Sequence, residues 1–394
     1  MRIRTRSAVL AAAAVLFLAP ATFPAAAQES ASSRLLGTYV VPHDLRVDGT
    51  PVGGLSSVDY DRRSGNFVFV SDDWSDYAPA RYYRADVSVT ERGVEDVTFT
   101  GVTLFRRPDG TTYPTIDTWR EEQHQVPRPL RNVLGTVDPE ELRVDPLTGE
   151  VAWTNEGQRN VPADGSERET VLLDPALRIS HHDGRYVRDL PTAPNEKMTM
   201  GETGPRVNET FEGLTYTADG MQVVSALEGP LEQDGPPANA DHGAFSRITV
   251  HDRAGLPTAQ YAYPVEPLFA QPQPPNDWNT NGISSLLADE QPGRFLALER
   301  GYASGIGTKG RIFEFSTVGA DDVMGRYSLA GGGFRAVQKK LLVDLDEIGV
   351  PYTDNVEGIS WGPLLSTGER VLLVVSDNNF SPNQQTQLIA IAVR

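Results

Sequence analysis

The feature that most constrains this chain is an internal repeat. Five segments share one plan: a small or acidic opening, a short strand, a turn, a second apolar strand, then an acidic or amide tag. They read GGLSSVDYDRRSGNFVFVSDD from Gly53, EELRVDPLTGEVAWTNEG from Glu140, EGLTYTADGMQVVSALEG from Glu212, NGISSLLADEQPGRFLALERG from Asn281 and EGISWGPLLSTGERVLLVVSDNN from Glu357. The openings stand 87, 72, 69 and 76 residues apart. Strand-rich units recurring at such a period stack radially or linearly, each burying its faces against its neighbours.

Each unit holds enough strand-like sequence for four strands. In the third, Ser246 to Val250 and Ala259 to Tyr263 follow the first pair; in the fourth, Arg311 to Phe315 and Lys340 to Val343 do so. Four strands make one propeller blade. The fifth unit runs out of chain after Gln387 to Val393, so its outer strand is expected from the N-terminal stretch Leu35 to Val41, which would also hide an edge. The chain therefore reads as an all-β, five-bladed propeller of four-stranded antiparallel blades, closed by the N-terminal strand. A sixth blade within residues 76–137 is the alternative count, and a β-sandwich is the rival architecture. With 29 prolines and 36 glycines, few stretches can run three helical turns.

Residues 1–27 read as a secretory signal peptide. Arg2, Arg4 and Arg6 form a basic start, Ala8 to Ala19 is a short apolar run, and Ala25 to Ala27 offers a small-residue cleavage site. The alternative is an uncleaved anchor. Residues 28–34 then form a short linker, and 35–394 a single domain in an exported, extracellular or envelope protein. The chain has no cysteine, so its stability is expected from core burial and bound metal, not from disulfides. The net charge of −18 excludes a nucleic-acid partner of the usual basic kind. A small-molecule ester and a monomeric state are the expectations for partners.

The repeat has a chemical consequence. The first strand of each blade lines the central channel, so the opening residues Glu140, Glu141, Glu212, Asn281 and Glu357 should form one ring. Asp72, Asp73, Glu156, Glu228, Glu299, Asp377 and Asn378, in the tags, should form a neighbouring set. So many carboxylates repel one another unless a cation intervenes or some stay protonated. Hard oxygen donors in this number suit Ca²⁺, and raised pKa values suit acid–base work. The alternative is that these acids only cap loops. Glu212, Glu357 and Glu140 are the candidate catalytic or water-activating groups. Asp72, Glu156, Glu228, Glu299, Asp377 and Asn378 are the candidate metal ligands. Arg300, beside Glu299, and Arg143, two residues past Glu141, are candidates for holding an anionic substrate. Other chemistries lack their motifs: there is no G-x-S-x-G elbow, P-loop, dinucleotide turn, H-E-x-x-H or thiol nucleophile.

The openings GLSS, EGLTY and VEGISW, the tags SDD, NEG, LEG and SDNN, and the stretch RITVHDRAG…AQYAYPVE together resemble the phytase-like proteins, a family described by esterase-like activity of phytase. The resemblance runs from about Leu35 to Val393. It implies a secreted propeller and a phosphoric-ester hydrolase related in architecture to calcium-dependent propeller phytases. It also implies that the recurring acids are Asp72, Glu140, Glu156, Glu212, Glu228, Glu299, Glu357 and Asp377. The sequence departs from the pattern at Asn281 and Gly53, where other openings have Glu. It lacks the R-H-G-x-R-x-P motif of histidine acid phosphatases, so phosphatase chemistry would need metal. Two further readings stay open: a non-catalytic envelope binding propeller, and a lactonase-like hydrolase in which one Ca²⁺ polarises an ester carbonyl.

Overall fold

The computed structural model describes residues 33–162 and 170–394. The leader reading of residues 1–27 lies outside them. Five four-stranded antiparallel sheets carry the chain, and each is one of the five sequence units. Blade one runs through Leu55–Asp61, Asn66–Ser71, Arg81–Thr90 and Gly93–Leu104. Blade two has Pro139–Val144, Val151–Asn155, Ala176–Ser180 and Tyr186–Leu190. Blade three has Phe211–Tyr216, Gln222–Leu227, Ala244–Asp252 and Pro257–Val265. Blade four has Asn279–Ala288, Arg294–Ala303, Gly307–Ser316 and Gln338–Asp344. Blade five has Asn355–Leu364, Arg370–Asp377 and Gln387–Val393.

The outer strand of blade five is Ser33–Val40, paired antiparallel with the C-terminal strand from Ser33 opposite Val393 to Val40 opposite Gln387. The expected N-terminal closure is therefore present. The stretch 76–137, the candidate sixth blade, supplies the two outer strands of blade one and then two short helices, Ile116–Glu122 and Arg131–Leu134. The count is five. Among the described residues no helix is long and apolar enough to cross a membrane.

The core is a ring of inter-blade layers. Leu298, Ile312, Ile359 and Ile389 join blades four and five. Val224, Ile248, Leu286 and Phe295 join three and four. Leu55, Phe69, Val375 and Leu388 join five and one, and corresponding layers join one to two and two to three. A blade strand is thus covered on both faces, which explains the unbroken apolar run Leu388 to Val393.

The small polar residues of the openings have a structural use. Backbone N–H groups of Leu142, Ala288, Ile359 and Tyr60 donate to the hydroxyls of Ser57, Thr215, Ser285 and Ser360 on neighbouring inner strands. Such bonds satisfy inner-strand donors that face another blade, not a sheet partner.

Arg143 lies where the inner strands converge. Its Nε donates to Leu214 O at 2.8 Å and its Nη1 to Val58 O at 2.7 Å. Its Nη2 donates to Leu286 O and Ile359 O, both at 2.9 Å. Those carbonyls belong to blades three, one, four and five, so one guanidinium from blade two ties all five together. Glu141 and Asp59 balance its charge at 3.3 and 3.4 Å. The sequence suggested Arg143 as a substrate-binding residue. Its side chain is 3% exposed and its donors are spent on backbone carbonyls, so it is a structural pin.

Candidate functional site

Every inner strand carries a register shift at the same place. The shifts fall between Leu55 and Ser57, Pro139 and Leu142, Phe211 and Gly213, Ile283 and Ser285, and Val356 and Gly358. A bulge inserts an extra residue and re-aims its side chain. The equivalent residues are Ser56, Glu140, Glu212, Ser284 and Glu357. A second position is fixed by the second strand, whose residues opposite the start of each shift are Ser71, Asn155, Leu227, Glu299 and Ser376. The residues that follow them are Asp72, Glu156, Glu228, Arg300 and Asp377. These ten positions, two per blade, make the site.

The polar contacts show that they converge. Ser56 Oγ lies within hydrogen-bond distance of Glu140 Oε2 at 2.5 Å and of Glu357 Oε2 at 3.1 Å, so blade one bridges acids of its two neighbours. Arg300 Nη2 lies 3.4 Å from both Glu228 Oε1 and Glu357 Oε1. Oxygens of Asp72, Asp138 and Glu140 lie within 4.8 Å of one another, and so do those of Glu140, Glu156 and Glu212. Eight carboxylates (Asp72, Asp138, Glu140, Glu156, Glu212, Glu228, Glu357 and Asp377) share the cluster with Arg300, which among the described residues is the cation contributed at these positions.

Burial is the first cause of the titration behaviour, and neighbouring negative charge is the second. Asp138, Glu140, Glu212 and Asp377 are pushed well above the usual carboxylate range by desolvation and by the acids around them. Glu156 is pushed up by burial to about 8, against the Thr210 backbone N–H that donates to it at 2.8 Å. Glu357 is pushed up by burial to about 7, with Arg300 pulling the other way. Asp72 and Glu228 are raised as well, again chiefly by burial. The Asp72 and Asp138 carboxyls face each other and share a hydrogen bond that lowers the first and raises the second, and Asp72 Oδ1 and Asp138 Oδ1 have no partner outside that pair. An all-oxygen donor set with two such carboxylate oxygens fits a hard divalent cation such as Ca²⁺.

Three expectations are corrected. Glu299 precedes Arg300 on a strand, and successive side chains point to opposite faces. Its carboxylate accepts from Tyr263 Oη at 2.9 Å and from Glu266 N at 3.1 Å, and it pairs with Lys339. Arg300, not Glu299, therefore occupies the site position in blade four. Asn378 is no ligand by its oxygen, since Oδ1 accepts from Gly54 N at 3.0 Å and Phe380 N at 3.1 Å. Asn281 donates to Glu266 O at 2.6 Å and sits three residues before the true ring position, Ser284. Aligning units on their Gly-Leu and Gly-Ile pairs put Gly53 and Asn281 opposite Glu212, whereas the bulges put Ser56 and Ser284 there.

Asp138 was not foreseen. Its counterparts in other blades include Gly54, Thr210 and Asn355, so no acidic repeat announces it. Glu141 was placed in the ring but turns into the throat below it, where Ser285 Oγ donates to it at 2.5 Å. Asp73 turns away to the buried Arg81.

The Glu299 correction makes a prediction. Glu299→Gln should leave Ca²⁺ affinity within about twofold by calorimetry, while removing one of the two carboxylates that pair with Lys339, the other being Glu266, should cost about 1–3 kcal/mol in denaturant unfolding. Glu212→Gln should show the reverse pattern. Equal loss of Ca²⁺ binding in both variants would return Glu299 to the site.

A family model described as "Phytase-like: Esterase-like activity of phytase" matches residues 50–380. Comparison with curated proteins gives no match. Among solved structures, an exo-β-1,3-galactanase from Phanerochaete chrysosporium with galactose matches at 9% identity and a TM-score of 0.41, over 90% of this chain and 64% of that one. A GH43 β-1,3-galactosidase with galactodeoxynojirimycin matches at 11% and 0.43, over 88% and 92%. An N-acetylgalactosamine deacetylase from F. plautii in complex with blood group B trisaccharide matches at 11% and 0.36, over 92% and 95%. This chain thus spans under two thirds of the galactanase, and none of these likenesses bears on the chemistry.

Proposed function

The chain belongs to the phytase-like family, described by esterase-like activity of phytase, and on that premise we propose that it hydrolyses phosphate esters with the help of Ca²⁺ at the acid cluster. The observation that carries the proposal is the convergence of seven buried carboxylates and the half-buried Asp72 with one arginine, a charge excess that a divalent cation would balance. Bound Ca²⁺ would supply charge neutralisation and polarise a phosphoryl oxygen. Asp72, Asp138, Glu140, Glu156 and Glu212 are the residues that would hold it.

The chain's own groups would do the rest. Arg300 would take a phosphoryl oxygen. Its Nε is buried without a partner, and its Nη2 is shared between two carboxylates at distances longer than a strong charge-assisted bond. Glu357, at about 7, sits where it can accept a proton from an attacking water near neutral pH and return one to the leaving oxygen. Ser56 fixes its rotamer by donating to Oε2, and Asn355 Nδ2 donates to Oε1 at 2.7 Å. Glu212 stands at the equivalent bulge of blade three and is the second candidate for orienting water. The leader-like first residues and acidic surface support an exported protein that does not bind nucleic acid, and a monomer is the simplest assembly.

The test is turnover of p-nitrophenyl phosphate, phytate and p-nitrophenyl acetate by purified protein with Ca²⁺ or with EDTA. Hydrolysis of a phosphate ester that EDTA abolishes is expected. Glu212→Gln or Glu357→Gln should lower kcat/KM by roughly a hundredfold or more while the fold is retained. Activity indifferent to chelation would overturn the calcium role, and turnover of the acetate alone would point to carboxylic-ester chemistry.

A further inference from the structure

Two turns beside the site have the same form and the same anomaly. Asp76 N donates to Asp73 O, and Ser381 N donates to Asn378 O, both at 2.7 Å. The central residues of the two turns are Trp74 and Ser75, with φ of 52° and 63°, and Asn379 and Phe380, with φ of 46° and 51°. Both are left-handed turns of the kind that favour Asn-Gly or Gly-Gly. Tryptophan and phenylalanine are poor choices for that conformation. The two turns begin at Asp73 and Asn378, one residue after Asp72 and Asp377, so each leaves a site carboxylate.

Bulky residues kept in an unfavourable conformation next to a site are held there by something else. Asn378 Oδ1 ties Phe380 N to Gly54 N. The Phe380 ring presses on Gly53 and Gly54, where a Cβ would come within 2.9 and 2.7 Å of it. Tyr77 lies over that ring, 4.2 Å between centroids and 16° between planes, and is 60% exposed. A backbone of glycines, a strained phenylalanine and an exposed stacked tyrosine form a fixed aromatic shelf beside the acids.

We infer that this shelf sets substrate choice, stacking the alcohol portion of an ester whose leaving group is a flat aromatic ring. The inference rests on the phosphate-ester reading above and adds to it the class of alcohol. An aryl monoester brings little charge to a site already holding eight carboxylates, whereas a polyphosphorylated alcohol brings several more negative charges beside them. Stacking on an aromatic side chain is worth enough to read in affinity.

The test uses non-hydrolysable probes, so that it does not depend on turnover. Calorimetry with excess Ca²⁺ would compare 1-naphthylmethylphosphonate with propylphosphonate on the whole protein. The wild type should bind the aryl probe about tenfold more tightly. Tyr77→Ala should reduce that preference to about twofold or less, and Tyr77→Phe should keep it. Tyr77 is exposed, so Tyr77→Ala should fold, and its melting temperature checks this. Phe380→Leu, which keeps bulk but removes the ring below, should also weaken the preference. Equal affinity of the wild type for both probes, no binding of either, or a preference that survives Tyr77→Ala would each overturn the shelf. Phosphate-ester turnover without an aryl preference would sink this inference alone, and absent turnover of any phosphate ester would sink the reaction proposed above.

Discussion

Stripped of divalent metal, the protein is expected to lose stability as pH rises from about 5 to about 8, and added Ca²⁺ should restore more at the upper end than at the lower. The folded-state values of Glu357 and Glu156, about 7 and about 8, lie above those of unfolded chains because burial disfavours the charged form. Between about pH 4.5 and those values the unfolded chain releases protons that the folded chain keeps. Stability contributed by the protonated groups is therefore full at low pH and is lost as pH rises. At about 1.4 kcal/mol per unit for each group, these two alone are worth on the order of 4 kcal/mol between about pH 5 and 7. A cation bound to the ionised acids reverses the trend, because its affinity grows as its ligands lose protons. Thermal melts at several pH values, with EDTA and with Ca²⁺, decide the matter. A metal-free melting temperature flat across this range, or a Ca²⁺ shift equal at both ends, would show that the acids are not coupled as described.

Replacing Arg143 should be the most damaging single change away from the site. Arg143→Met removes donors from carbonyls of four blades and leaves Glu141 and Asp59 without their counter-charge. Removing one partner of a buried ion pair costs about 3–5 kcal/mol. Arg143→Lys should recover little, because a single ammonium cannot match a planar fork that reaches four acceptors. Arg143→Met combined with Glu141→Gln should recover part of the loss, since it also removes one stranded charge. Denaturant unfolding reads all three, and a loss below about 1 kcal/mol for Arg143→Met would mean that the pin is dispensable.

The architecture was legible in the sequence because each blade repeats a strand–turn–strand pattern at a steady period, and a chain with one unit short of an outer strand needs a donor from its other end. The acids at Asp72, Glu140, Glu156, Glu212, Glu228, Glu357 and Asp377 were legible for the same reason. What the sequence hid lies within one to three residues. A bulge shifts phase without changing composition, so Ser56 and Ser284 were invisible behind Gly53 and Asn281. Strand alternation turned Glu299 outward and Arg300 inward, a choice that an adjacent Glu-Arg pair cannot reveal. Asp138 had no counterpart in other units. Arg143 was expected to hold an anionic substrate, because its partners, backbone carbonyls of other blades, leave no mark in side-chain identity.

The pairing of Ser33–Val40 with Gln387–Val393 has a consequence for how the protein comes into being. The last blade is assembled from the two most distant described strands, with the C-terminal strand lying between the N-terminal one and Arg370–Asp377. Four blades can form locally as they emerge, but the circle stays open until the final residues arrive. Such late, non-local pairing is slow. Afterwards it works as a clasp: loosening either end opens an edge in the sheet whose inner strand carries Glu357.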